Sequence, residues 1–118
     1  MIRGTGIDII ELSRIEEVMK KQIKFIDRIL TPNEKIRFEA VGGKRKIEFL
    51  AGRFAAKEAF SKANGTGIGK DLSFLDIEIG TDAFGKPFIV KPEVKAHLSI
   101  SHSKEYAVAQ VIIEEENF

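Results

Sequence analysis

Phe49-Leu50-Ala51-Gly52-Arg53-Phe54-Ala55-Ala56-Lys57-Glu58-Ala59-Phe60-Ser61-Lys62-Ala63 runs directly into Asn64-Gly65-Thr66-Gly67. The stretch reads as one long, largely apolar helix with a carboxylate and a lysine set into it. The helix is predicted from about Arg45 to Ala63, on the order of 28 Å, and Gly65 is placed to end it in a left-handed cap. An ionised group in so apolar a segment destabilises the fold unless it has a partner. A metal ion, a phosphate or a counter-charge would serve, and the identity of that partner bears directly on function.

Upstream, Ile2 to Ile10 reads as a strand. Arg3, Thr5, Ile7 and Ile9 take one face, and Gly4, Gly6, Asp8 and Ile10 the other. Asp8 thus lies beside two positions without side chains. Ser13-Arg14-Ile15-Glu16 has the pattern of a capping box, and Ile15, Val18, Met19, Ile23 and Ile26 give the helix after it an apolar stripe. Thr31-Pro32-Asn33-Glu34 predicts a second box, with proline at the first helical position. Downstream, Leu75, Ile77 and Ile79 alternate with Asp76, Glu78 and Gly80 as in a half-buried strand. Phe84-Gly85-Lys86-Pro87 reads as a turn before a strand at Phe88-Ile89-Val90. Leu98 and Ile100, then Ala107, Ala109, Val111 and Ile113, predict two more strands, with Glu114 to Glu116 as a solvated tail. Helices early and strands late around one core favour α+β with a mainly antiparallel sheet.

A chain of 118 residues with 43 % hydrophobic and 31 % charged residues suits a single domain, 1–118. A net charge of +1 argues for neither nucleic acid nor membrane as a partner. The absence of cysteine removes thiolate zinc sites, disulfides and cysteine nucleophiles, and fits a reducing cytoplasm. No basic region followed by an apolar run opens the chain, so no secretory signal is expected. No apolar stretch approaches the roughly 20 residues needed to span a bilayer.

On the long helix Glu58, Ser61 and Lys62 lie within about 60° of one another, with Gly65 on the same side. The bland reading is a surface Glu–Lys pair worth roughly 0.2–0.5 kcal/mol. Asp8, a second acid among glycines and apolar residues on another element, favours a sharper one. Two carboxylates from separate elements are what a magnesium–phosphate site commonly uses. Lys44-Arg45-Lys46, Arg53 and Lys57 are either a solvated face or a phosphate site. Asn64 to Lys70 is not a P-loop: Asn64 and Asp71 stand where Gly and Ser or Thr are required, and the segment follows a helix. His97 and His102 fall on opposite faces of a strand, which disfavours a joint metal site. Arg14, Lys21 and Lys24 lie within about 80° of one another on the first helix. With Arg28 they form either a wet face or a docking face for an acidic helix.

Gly6 to Glu11, Arg28 to Thr31, Glu48 to Ala63, Gly65-Thr66-Gly67, Gly85-Lys86-Pro87 and Ser99-Ile100-Ser101-His102-Ser103 together resemble the holo-acyl-carrier-protein synthases, the small bacterial type of 4′-phosphopantetheinyl transferase. The resemblance implies that family's fold, a long central helix packed on a mainly antiparallel sheet. It implies transfer of the phosphopantetheine arm of coenzyme A to a serine of apo-acyl-carrier protein, with release of 3′,5′-ADP. By the family's pattern Asp8 and Glu58 would hold Mg²⁺, and Lys62 would contact the phosphates and stabilise the leaving group. Lys44, Arg45 and Arg53 would hold the coenzyme's phosphates, the 3′-phosphate included. Gly65, Gly85, Pro87, His102 and Ser103 would line the adenosine–phosphate site. Arg14 and its basic neighbours would meet the carrier protein. Family members often carry asparagine before Gly85, where this chain has Phe84. A cytoplasmic homotrimer with sites between subunits is also implied, and Phe49 and Phe60 read as exposed residues that serve either packing or an interface. The alternative is a non-catalytic module that binds coenzyme A or a carrier protein. It would need no paired carboxylates.

Overall fold

The structure is a computed structural model, and it describes residues 1–115. Strand β1 (Ile2–Glu11) leads into helices α1 (Leu12–Lys21), α2 (Phe25–Ile29), α3 (Pro32–Glu39) and α4 (Lys44–Asn64). A 3-10 turn (Phe74–Asp76) precedes β2 (Glu78–Thr81), β3 (Pro87–Lys91), β4 (Ala96–His102) and β5 (Tyr106–Glu114). The strands form an antiparallel sheet of order β1-β5-β4 and a separate antiparallel pair, β2-β3. Strands β1 and β4 are therefore the two edges of the larger sheet.

Helix α4 lies across that sheet. The glycines of β1 explain how closely it packs. A Cβ on Gly6 would stand 1.9 Å from the carbonyl oxygen of Ala59, and one on Gly4 would stand 2.0 Å from that of Ala63. Alanines 55, 56, 59 and 63 complete a small-residue contact with Val111 and Ile113 in the core. The cost of glycine in a strand is offset by the close approach of helix to sheet. Gly65 ends α4 with φ +88°, in the left-handed cap the sequence predicts. The opposite face of β1 stays bare: Ile7 and Ile9 are 61 % and 62 % exposed.

Five expectations need correction. Helix α1 begins at Leu12, not after a Ser13 cap, because β1 passes straight into it and the Leu12 amide donates to the Glu105 carbonyl. It ends at Lys21, with Gln22 in extended conformation, so Ile23 is exposed and Lys24 is not on the same helix as Arg14. Residues 74–76 form a 3-10 turn, which leaves Leu75 outward, while Glu78 is buried where it accepts the Thr31 hydroxyl at 2.6 Å. Phe60 is wholly buried against the sheet, and Phe49 is half-buried. Glu114 is strand rather than tail and bonds His97 at 2.6 Å. Glu115 follows the strand, and Glu116 lies outside the described residues.

Candidate active site

The two ionised groups in the middle of α4 have opposite surroundings. Lys57 is buried, and its Nζ donates to the Ile29 carbonyl and Glu34 Oε1, both at 2.6 Å, and to the Phe74 carbonyl at 3.1 Å. Glu34 is buried as well. Through the predicted capping box it accepts the Thr31 amide at 2.7 Å, and it also accepts the Ile79 amide at 2.9 Å. Lys57 is thus a structural counter-charge, neither a solvated residue nor a phosphate ligand. Burial lowers its pKa, and Glu34 opposes that shift.

Glu58, the next residue, faces the β1 edge. Its pKa is raised, first by burial and then by the negative charge of Asp8, against an opposing pull from Lys62. Lys62 Nζ reaches Asp8 Oδ1 at 3.2 Å and the Ile7 carbonyl at 3.0 Å. Asp8 pairs across β5 with Ala109 and is held beside α4 by the same glycines that let the helix approach. The structure therefore brings Asp8, Glu58 and Lys62 together. The donor chemistry fits a hard divalent cation: two oxygen-only ligands repel each other, and among the described residues the one cation bonded to either is Lys62, on Asp8. Among the described residues no cluster of three or more histidines and acids occurs. A cation here would complete its shell with water and phosphate oxygens.

A second constellation sits at the β4 edge. Arg45, Glu48, Phe49, Gly52 and Arg53 of α4 line one cavity with Gly85, Pro87, Ile100 and His102. Arg53 stacks its guanidinium 4.3 Å over the Phe49 ring and donates from Nη2 to Thr81 at 3.2 Å. Its Nε is buried without a partner, and burial lowers its pKa to about 10, with Glu34 opposing. An orphaned guanidinium nitrogen beside Arg45 and His102 suits an anionic ligand. Gly85 turns the β2–β3 hairpin with φ +84°, held by Asp82, which accepts the amides of Phe84 and Lys86.

Around α4, Arg45 and Arg53 each lie about 140° from Glu58. One chain therefore does not join the carboxylates to the basic cavity. Three other expected residues do not line that basic cavity. Lys44 lines a groove against α1 with Met19 and Ile47. Ser103 accepts the amides of Glu105 and Tyr106 and so caps the β4–β5 turn. Gly65 is the helix cap on the Glu58 side. Arg14, Lys21, Lys24 and Arg28 are all exposed, with Lys21 paired to Glu17 at 2.7 Å. Sequence reasoning missed Glu48, Phe49 and Gly52 as cavity residues. The signal was present: they follow Arg45 at i+3, i+4 and i+7, which is one helix face.

A family model described as the 4′-phosphopantetheinyl transferase superfamily matches residues 4–111. The chain belongs to that superfamily. Among its transferase relatives, the holo-[acyl-carrier-protein] synthase of Anoxybacillus flavithermus is 64 % identical over 116 residues, 97 % of each chain. A solved holo-(acyl-carrier-protein) synthase from Bacillus anthracis, in complex with CoA (3′,5′-ADP), superposes with a TM-score of 0.92 at 59 % identity, covering 98 % of this chain and 99 % of that one. The Helicobacter pylori transferase, solved with coenzyme A, gives 0.82 at 38 % identity over 93 % and 99 % of the two chains. The α+β architecture implied by the resemblance is the one these structures share.

Proposed function

We propose that this chain moves the 4′-phosphopantetheine arm of coenzyme A onto a serine of apo-acyl-carrier protein and releases 3′,5′-ADP. The observation that carries the reading beyond family membership is the meeting of Asp8, Glu58 and Lys62 at the β1 edge. A pure binding module has no need of two mutually repelling, half-buried carboxylates. Mg²⁺ held by Asp8 and Glu58 would supply positive charge to the pyrophosphate oxygens. The serine oxygen attacks the β-phosphorus, and the bond from that phosphorus to the bridging oxygen of 3′,5′-ADP breaks. Lys62, fixed by Asp8 and the Ile7 carbonyl, is placed to neutralise or protonate the departing phosphate.

Arg45, Arg53, Gly85, Pro87 and His102 are assigned to the nucleotide end of the coenzyme. They line the opposite sheet edge, so a complete site needs a second copy of the chain. The bare Ile7 and Ile9 face of β1 supports such an assembly, and a head-to-tail contact that joins unlike edges forms a ring where its rotation closes. The family resemblance, not the contact geometry, sets the number of copies at three, and we assign a homotrimer from it. Arg14, Lys21, Lys24 and Arg28 are assigned to the acidic carrier protein, although α1 contributes only the first two. A cysteine-free chain acting on coenzyme A is assigned to the cytoplasm. No helix among the described residues is long and apolar enough to cross a membrane.

Intact-mass measurement of apo-acyl-carrier protein after incubation with coenzyme A and Mg²⁺ tests the reaction. A gain of one phosphopantetheine, lost with a chelator, is expected. No gain on a carrier that another transferase modifies would favour the binding module. Mixing Glu58→Gln with Arg53→Ala subunits tests the assembly. Random exchange restores about a quarter of the sites if they form between copies, and none if each chain works alone.

A further inference from the structure

A cavity of about 650 Å³ lies between α1, the start of α4 and the β4–β5 turn, and it shares no lining residue with the basic cavity at the β4 edge. Leu12 is buried in its floor, and Met19 and Ile47 are half-buried beside it. Ligand cavities of this size are lined mainly by such side chains, with a few polar groups to fix the ligand. On α1, Leu12, Ser13, Glu16, Met19 and Lys20 line it within an arc of about 120°. Arg14 and Lys21 lie about 140–160° from the centre of that arc. The cavity is therefore not the basic face assigned to the carrier protein.

The rim is cationic. Lys20, Lys44, Lys46 and Lys104 stand against one acid, Glu16. Two of them have partners: Lys20 pairs with Glu16 at 3.8 Å, and Lys46 with Glu39 at 3.5 Å. Among the described residues Lys44 and Lys104 form no salt bridge, and both are exposed. Lys44 opens α4, whose first turn holds no acid. A cation there adds to the positive end of the helix instead of offsetting it. An apolar floor under unneutralised ammonium groups complements a molecule with an apolar body and an anionic head. A docked amphipathic protein helix anchors through residues spread over two turns. Two turns, about 10 Å across and 11 Å long, occupy on the order of 850 Å³, more than the cavity encloses. A single acyl chain is far thinner. No guanidinium lines the cavity, and separate ammonium groups supply point charges, not the paired donors that grip a phosphate. The rim thus favours a carboxylate head.

We propose that this cavity binds a free long-chain fatty carboxylate, with its chain on Leu12, Met19 and Ile47 and its head on Lys44 and Lys104. None of these side chains belongs to the transfer site proposed above, so binding here stands or falls independently of that reaction.

Calorimetric titration of the full chain with dodecanoate, kept below its micelle concentration, tests the site. Saturable binding of one molecule per chain is expected. Decanoate, shorter by two methylenes, should bind about tenfold more weakly. Dodecyltrimethylammonium, with the head charge reversed, should not bind. Combining Lys44→Gln with Lys104→Gln should weaken dodecanoate binding about tenfold. Met19→Asn, which wets the floor, should weaken it by a similar factor. Thermal melting checks that each variant is native, and if Met19→Asn does not fold, the exposed lysine pair decides. Absence of saturable binding, equal binding of the cationic amphiphile, or an unchanged affinity in the lysine variant would each overturn the proposal. Retention on phosphatidylglycerol vesicles without binding of free dodecanoate would also overturn it, and would assign this face to a membrane surface instead.

Discussion

Lys57 and Glu58 are consecutive residues of one helix, and they meet the same problem in opposite ways. Both bring charge into an apolar segment. Lys57 turns inward and finds two carbonyls and a carboxylate within 3.1 Å, so its charge is consumed in joining α4 to α3, to the end of α2 and to the 3-10 turn. Glu58 turns to the sheet edge and meets Asp8, a like charge. A buried charge whose partners are all supplied by the chain secures the fold. One whose neighbour repels it is, on the reading proposed above, completed by a cation from outside the chain. The contrast separates structural from chemical roles at adjacent positions, where composition and hydrophobic pattern see only a Lys-Glu pair.

The largest stability effect should fall on the inward side. Lys57→Met leaves Glu34 buried without its counter-charge and should cost about 3–5 kcal/mol in urea denaturation. Adding Glu34→Gln removes the stranded charge and should recover at least about 1 kcal/mol through coupling. Equal destabilisation by the double and the single variant would mean that the pair does not hold the fold. Next in size is Gly6→Ala. Its methyl group meets the Ala59 carbonyl, so α4 must move off β1 at a cost of about 1–3 kcal/mol. Because that movement separates Asp8 from Glu58, half-maximal transfer should need more Mg²⁺. A stable variant with an unaltered metal requirement would show that the close approach does not set the carboxylate pair.

The smallest effect is electrostatic. Glu58 has a folded pKa above the ordinary 4.5. Its contribution to stability is fully present below 4.5 and is lost as pH rises through the raised folded value. The melting temperature of wild type relative to Glu58→Gln should therefore decline over that window without metal. Saturating Mg²⁺ near neutral pH should raise the wild-type value and leave that of Glu58→Gln much less changed. A flat difference across pH would place Glu58 in ordinary solvent.

Much of this was legible before the structure. The alternation in β1 placed Asp8 on the face of Gly4 and Gly6. The length and cap of α4, the Thr31–Glu34 box and the Glu58–Lys62 face all followed from local rules that the fold obeys. What escaped was non-local. No periodicity says that Glu34 leaves its capping role half free to receive Lys57 from 23 residues away. Glu78 alternates like a solvent residue, yet Thr31 and Asn33 supply hydrogen bonds that make its burial tolerable. The apolar stripe continued past Lys21, but the chain turns there so that Phe25 can pack on Phe54, with ring centroids 6.1 Å apart. Helical geometry alone turns Arg53 away from Glu58, but which sheet edge each one meets is set by the packing of α4 and could not be read from the order of residues.

The most direct test sets the two neighbours against each other in one assay: phosphopantetheine transfer per folded molecule by Glu58→Gln and by Lys57→Met, each at a temperature where circular dichroism shows it native. The account predicts that Glu58→Gln is folded and loses roughly a thousandfold in transfer, while folded Lys57→Met remains within about tenfold of wild type. Full transfer by Glu58→Gln, or a native Lys57→Met as inactive as its neighbour, would contradict it.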